Sequence, residues 1–547
     1  MSTRGEHQDG AGGPRGTARG AGDGRGTARG AGDGRGTGSS TGTGTGGGSG
    51  RRRPGQGRPG QGRGGPRIPR DEARLAAFDV LRAVDERDSY ANLLLPRLLR
   101  ERGIKGRDAA LATELAYGTL RGLGTYDAII EVCSDRAPDP AVRDALRLGA
   151  HQLLRMRVPP HAAVGTTVDL VRLRVGPGPA KFANAVLRKI ASRTVEEWLP
   201  IVAPDPGADP VGHLAVAHAH PRWIVSAFRD ALGGDAELPD LLAADNARPL
   251  VTLVARPGRS DLEELAEYGA TPGRYSPYAA YLPEGDPGQI EAVAETRAAV
   301  QDEASQLVAL ALTRVPITGH PAGSLVSPDG TLGDGATRAR ASRGDEAVER
   351  WLDMCAGPGG KAGLLDAVAA YGDVSGGPSG FPGGALLLAA DVQYHRARLV
   401  WQTTRRAAVV TADGTEPAWR PGVFDRVMLD APCTGLGALR RRPEARWRRD
   451  PAGIAELGRL QRLLLGAALD AVRPGGVVAY VTCSPHLAET RVVVGDVLAR
   501  RADAEQLDAR EYLPEVDGLG DGPHAQFWPH RHGTDAMFLA LLRRRPS

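Results

Sequence analysis

Cysteine is scarce: the 547 residues contain four, Cys133, Cys355, Cys433 and Cys483. No two stand at CxxC spacing, which argues against a zinc site, and so few in a long chain argue against a disulfide framework. That usage fits a reducing compartment. Long apolar runs are missing too. No stretch approaches the roughly 20 residues that cross a bilayer, and the N-terminus has neither the apolar core of a secretory signal nor an amphipathic transit pattern. The expectation is a cytoplasmic, monomeric protein with no membrane contact and no metal. His524, His530 and His532 lack a metal-ligand partner set and are expected at the surface.

What is present is unevenly distributed. The net charge is +4, yet residues 1–69 hold twelve arginines against four acids. That segment has a surplus of eight, and the remaining chain has a deficit of four. The segment is otherwise Gly, Thr and Ser, with the stretch GTARGAGDGR at Gly16–Arg25 repeated at Gly26–Arg35. It has almost nothing to bury and is expected to be disordered. Its arginines suit phosphate backbones without reading sequence, or serve only as a solubilising leader.

Helical periodicity begins near Asp71. Apolar residues recur at helical spacing over Ala73–Val84, Leu93–Leu99, Ala109–Leu120, Val142–Met156, Val164–Val175 and Phe182–Ile190. These predict an all-α domain over residues 70–200, followed by a Pro- and Asp-rich linker at Pro200–Pro210. Residues 211–300 mix helix candidates (Pro221–Leu232, Asp261–Tyr268) with a β-like run at Leu250–Ala255, and predict a small α+β module. Over residues 301–547, β-like runs alternate with helical stretches, the mark of a parallel α/β sheet. The strand candidates are Val348–Met354, Ala385–Ala390, Ala407–Ala412, Phe424–Leu429 and Val477–Thr482. Two Gly-rich intervals, Thr318–Gly344 and Gly372–Gly384, read as surface loop insertions without catalytic importance.

The first of these strands runs through Asp353 into Cys355-Ala356-Gly357-Pro358-Gly359-Gly360-Lys361 and then a helix. Strand, glycine turn and helix bring backbone N–H groups close to a nucleotide-like ligand. A phosphate-binding Walker loop is excluded, because Cys355 replaces its first glycine and Ala362 its magnesium-binding Ser or Thr. Asp391, Asp413 and Asp430 follow at the ends of successive strands. A carboxylate ending the second strand is placed to accept hydrogen bonds from ribose hydroxyls. Asp391 lies 31 residues past Gly360, and setting aside the thirteen residues Gly372–Gly384 leaves 18, near the usual interval of about 20. The expectation is a nucleoside-bearing cofactor.

Two thiols end strands of the same sheet, in Asp430-Ala-Pro-Cys433 and Tyr480-Val-Thr-Cys483-Ser-Pro. The carboxyl ends of parallel strands form the ligand crevice, so both are expected to face it. A thiolate adding to carbon 6 of cytosine makes carbon 5 nucleophilic enough to take a methyl group. A carboxyl group such as Asp430 is suited to the accompanying proton transfer.

These motifs resemble the RsmB/Sun family of RNA (cytosine-C5) methyltransferases. Supporting segments are Gln301-Asp-Glu-Ala-Ser-Gln306, Gly435-Leu-Gly437, Arg442-Pro-Glu444 and Gly533-Thr-Asp535. Arg107–Arg121 and Phe182–Arg188 resemble the NusB-like RNA-binding domain joined to these enzymes. The resemblance implies a Rossmann-like domain that uses S-adenosyl-L-methionine and acts on RNA, with 16S small-subunit ribosomal RNA as the leading substrate. It also implies Cys483 as nucleophile, Cys433 as the residue that aids product release, and Cys355–Lys361, Asp391, Asp413 and Asp430 as cofactor-binding positions. The chain departs from the family where Glu489 is followed by Thr490-Arg491 and where Gly533-Thr-Asp535 is followed by Ala536-Met537. Three rival readings stand beside this one: a transfer RNA substrate, Cys433 as the nucleophile, and a non-catalytic RNA-binding assembly factor. The basic run Arg440–Arg442, Arg446, Arg448 and Arg449 is expected to contact RNA phosphates, while Trp447 is expected to be packed.

Overall fold

The computed structural model describes residues 71–318, 348–373, 381 and 383–546. The arginine-rich segment and nearly all of Thr318–Gly344 lie outside the described residues.

Seven helices form the first layer: Glu72–Arg87, Ala91–Glu101, Gly106–Arg121, Leu123–Cys133, Pro140–Leu154, Pro160–Arg174 and Pro177–Ile190. Local chemistry sets their starts. Asp71 Oδ1 accepts the Arg74 N–H at 3.0 Å as an N-cap, and three helices begin on proline, where no N–H is needed. Val80, Leu115, Ile129, Leu146 and Leu187 are fully buried where the apolar stripes meet. The expected linker Pro200–Pro210 is irregular over 203–209 and is entered and left through helices. Thr194 and Glu197 form a reciprocal capping box that starts a helix at Val195–Val202. Its Trp198 is buried and donates to the Ile190 carbonyl at 3.0 Å. Asp209 caps a further helix, Pro210–Ala217. Pro200 thus lies in the last turn of one helix and Pro210 starts the next, while Pro204 and Pro206 lie in the connection between them.

The middle segment adds helices Arg222–Leu232 and Leu238–Asn246 and a small antiparallel sheet. Its strands are β1 (Val251–Ala255), β2 (Thr271–Pro272), β3 (Ala279–Leu282) and β4 (Ala298–Val300), in the order β2-β3-β1-β4.

The C-terminal portion is built on β5 (Arg350–Asp353), β6 (Leu386–Asp391), β7 (Ala408–Thr411), β8 (Phe424–Asp430), β9 (Val472–Thr482), β10 (Ala504–Leu507), β11 (Ala525–Gln526) and β12 (Phe538–Arg544). The main path is β10-β12-β9-β8-β5-β6-β7. Strands β5 to β9 are mutually parallel, while β12 runs antiparallel to β9 and β10 antiparallel to β12. This is a Rossmann-like sheet with an antiparallel edge. Chain order reverses at β5, which lies between β6 and β8, so the crevice opens at the carboxyl ends of these strands. Helices Gly360–Tyr371 and Ala452–Ala471 cover the sheet over cores centred on Leu364, Met428 and Leu465.

Among the described residues of Gly372–Gly384, Gly384 is exposed, but Gly372, Asp373 and Phe381 are buried. Phe381 is buried against Trp351, ring centroids 4.7 Å apart, and buried Asp373 accepts from Tyr278 Oη at 3.0 Å. Among the described residues no helix is long and apolar enough to cross a membrane.

Candidate active site

The glycine turn lies at the end of β5. Gly357 N donates to Asp391 Oδ2 at 3.0 Å, and a Cβ on Gly357 would stand 2.4 Å from that same oxygen. Only glycine lets the turn approach so closely. Gly359 adopts φ +111°, and a Cβ there would lie 2.2 Å from Thr403 Oγ1. Over Gly360, by contrast, the space is open: the nearest atom to an added Cβ is the Gln301 carboxamide carbon at 3.9 Å. Gln301 Oε1 is buried without a hydrogen-bond partner among the described residues. Asp353 is fully buried at the strand end, receives no side-chain hydrogen bond, and is pushed up to about 8 by burial and by nearby Asp430. An open cradle of backbone lined by unpartnered acceptors fits a polar, nucleoside-bearing group. Asp391 Oδ1 takes the Gln393 N–H at 2.9 Å, yet each carboxylate oxygen keeps a lone pair for a ribose hydroxyl. Asp413 stands apart. It is exposed two residues past β7, where it accepts from both N and Oγ1 of Thr415.

The two thiols meet. Cys433, after β8, and Cys483, after β9, have their sulfurs 3.4 Å apart, and both are half-buried. Hydrogen bonding splits the pair: it lowers Cys483 below the ordinary thiol value and raises Cys433 well above it. The Lys361 charge adds to this by favouring the Cys483 thiolate, against burial and the Asp430 carboxylate, which oppose it. Lys361 Nζ also donates to Asp430 Oδ2 at 2.9 Å. Burial acts to lower Lys361, but Asp430 outweighs it and keeps the ammonium charged. The arrangement therefore holds one thiol eased toward ionisation, a second held in its protonated form and one ion pair at a single crevice. Burial pushes Cys355 upward, as an inert packed thiol, and Cys133 lies in the helical core.

Sequence reasoning missed the scaffold beneath these sulfurs. Glu489 is buried, and its carboxylate accepts from Thr434 N at 2.8 Å and Thr434 Oγ1 at 2.5 Å, the residue next to Cys433. Gln461 Nε2 donates to the Pro432 carbonyl at 2.8 Å on the other side of the thiol. Gly437 N donates to the Cys483 carbonyl at 2.9 Å, and a Cβ there would lie 2.0 Å from the Ala536 carbonyl oxygen. The two sulfur-bearing loops are thus laced together. The departure after Glu489 was visible in sequence, whereas the glutamate's partners fifty-five residues away were not.

The basic run is corrected. Arg440 and Arg441 both reach Asp302 and Asp535, at 2.7–3.0 Å, in a buried four-member cluster. Arg446 is fully buried, donating to Asn246 Oδ1 at 2.7 Å and to the carbonyls of Asp245 and Arg121 at 2.8 and 3.2 Å. Arg448 donates to the Ser89 and Asp88 carbonyls at 2.6 and 2.8 Å. Four of the six arginines are therefore internal, and only Arg442 and Arg449 are exposed. Glu444 completes the strap by accepting the Ala91 N–H at 3.1 Å. Trp447 is partly exposed, with its ring edge against Gly124. Of the three histidines expected at the surface, His532 is buried and His524 and His530 are half-buried. His532 is buried between Trp528 N and the Asp517 carbonyl, His530 meets Glu237 at 2.9 Å, and burial lowers His524 to about 4.

Comparison with known proteins agrees with this architecture. Residues 344–543 match the family described as 16S rRNA methyltransferase RsmB/F, and residues 71–192 match the NusB family. The chain is 52% identical over 489 residues to a methyltransferase of Mycobacterium tuberculosis, spanning 88% of this chain and 98% of that one. It is 31% identical over 486 residues to the ribosomal RNA small subunit methyltransferase B of Pseudomonas putida, spanning 86% and 98%. The crystal structure of PH0851 shares the fold, with a TM-score of 0.66 at 21% identity over 87% of this chain and 99% of that one. The chain belongs to the RsmB/F family of ribosomal RNA methyltransferases, with a NusB-family domain ahead of its Rossmann-like methyltransferase domain.

Proposed function

We propose that this protein transfers a methyl group to carbon 5 of a cytosine in 16S ribosomal RNA, through a covalent bond between Cys483 and carbon 6 of that base. The observation that carries the reading is the 3.4 Å approach of the two sulfurs beside the Lys361–Asp430 pair. S-adenosylmethionine, when bound, supplies an electrophilic methyl group. Cys355–Lys361, Asp391, Asp413 and Asp430 are the residues assigned to hold it, with Asp391 offered to the ribose.

The chain's own groups then have separate tasks. Cys483 adds as thiolate to carbon 6, which moves an electron pair to carbon 5 and makes it the attacking atom. Lys361 and Asp430 handle the proton at the ring nitrogen, where negative charge develops on addition. After methylation, carbon 5 loses its proton to a base and the Cys483–carbon 6 bond breaks, restoring the aromatic ring. Cys433, whose sulfur lies 3.4 Å from that of Cys483 and whose burial favours the neutral thiol, is placed to give a proton to the departing Cys483 sulfur in the release step. The target base must leave its stack to reach this crevice.

Bisulfite sequencing of ribosomal and transfer RNA, with and without the protein, tests the assignment. Loss of one 16S cytosine mark is expected. A lost transfer RNA mark would move the substrate, and no change would favour the non-catalytic reading.

A further inference from the structure

The helix Tyr394–Thr403, which follows the Asp391 end of β6, is anchored by Val400 packed with Ala356, Ala362 and Ala389. One flank serves the glycine turn, since Arg396 donates to the Gly357 carbonyl and Thr403 Oγ1 to the Gly359 carbonyl. The other flank serves nothing described so far. Tyr394 and Trp401 are 70% and 69% exposed, and Leu399 on the same helix is exposed as well, so the helix presents large apolar groups to solvent at several positions. Exposed Arg398 lies between the two rings, and at 100° per residue Tyr394, Arg398 and Trp401 fall within an arc of about 60°.

Charge selects the partner. Between Val392 and Ala412 the chain has four arginines and one histidine and no acid, although the chain beyond the first 69 residues is acidic overall. Arg396 pairs with Asp391, and Arg405 donates to the Glu295 carbonyl at 2.7 Å. Arg398 makes no ion pair among the described residues. Alternating rings and cations, about 10 Å from first ring to last, suit unpaired bases that stack while their phosphates meet guanidinium.

We infer that the Tyr394–Arg398–Trp401 face binds a single-stranded segment of the substrate RNA outside the catalytic crevice. The inference rests on the RNA substrate proposed above. The test is fluorescence anisotropy with a labelled single-stranded 16S fragment, comparing the full chain with Tyr394→Ala/Trp401→Ala, Trp401→Phe and Arg398→Ala. Unfolding midpoints check that these exposed substitutions leave the fold intact. The double variant is expected to bind about tenfold or more weakly, and Trp401→Phe to keep most of the affinity. Arg398→Ala should lower the salt slope by about 0.7. In turnover, KM should rise while kcat at saturating RNA holds. Unchanged Kd and KM overturn the inference. So does a loss confined to assembled ribosomal particles, which would assign the face to a protein. Anisotropy needs no methyl transfer, so an inactive wild type with intact, ring-dependent binding would sink the catalytic reading and spare this one.

Discussion

The hydrogen bond between the two sulfurs makes the thiols unequal, and Lys361, which touches Asp430 at 2.9 Å, adds a smaller push toward the Cys483 thiolate. Cys483 titrates below the ordinary thiol value of about 8.5, so its reactivity should rise with pH and level off earlier than a free cysteine's. Iodoacetamide labelling, read peptide by peptide with mass spectrometry, should place that midpoint low. Lys361→Met should shift it alkaline, and an unmoved midpoint would remove lysine from the account. Asp353 gives a second pH signature. Its folded value of about 8 exceeds the unfolded one, so the folded state holds a proton that the unfolded state releases. Its contribution is complete below about pH 4 and fades as pH rises towards 8. Asp353→Asn should therefore flatten the loss of stability across that window in denaturant titrations. Glu489 acts one shell away, by holding Thr434. Glu489→Ala should cut kcat by roughly ten- to a hundredfold with RNA affinity unchanged, while Glu489→Gln should retain more; equal loss in both would mean a charge effect instead of positioning.

Among the elements, the glycine turn and the two thiol-bearing strand ends were legible because each motif is local: residue types and secondary structure sit within a few positions. The Arg440–Arg449 strap misled because its partners are remote. Asp302 lies 138 residues from Arg440, and charge pattern alone cannot distinguish a phosphate contact from a buried carboxylate. Strand β12 was missed for another reason. Phe538–Leu542 is a continuous apolar run without period-2 alternation, which sequence cannot separate from a buried helix. The correction makes its own prediction. Arg446→Ala, which leaves the carbonyls of Arg121, Ala219 and Asp245 and the Asn246 amide without their donor, should cost about 3 kcal/mol of stability. It should leave the salt slope of RNA binding alone, whereas Arg442→Ala and Arg449→Ala should reduce that slope. A changed slope in Arg446→Ala would restore the phosphate-contact reading.

At the scale of the whole molecule, the same strap joins the crevice to the helical domain. It begins seven residues past Cys433 at Arg440, and Glu444, Arg446 and Arg448 bind backbone groups at Ala91, Arg121 and Ser89. The NusB-family helices are therefore part of the support for the catalytic loop as well as a candidate RNA contact. The arginine-rich first 69 residues are expected to add a sequence-independent contribution, so deleting them should weaken RNA binding at about 50 mM salt and matter little near 200 mM; an unchanged salt slope would leave them a solubilising leader. All of this serves one chemical claim, that Cys483 bonds the base and Cys433 frees it. Incubating Cys433→Ala with substrate RNA and S-adenosylmethionine and running a denaturing gel tests it directly. A shifted protein–RNA band should accumulate in Cys433→Ala and be absent from Cys483→Ala; the band appearing in Cys483→Ala instead would contradict it.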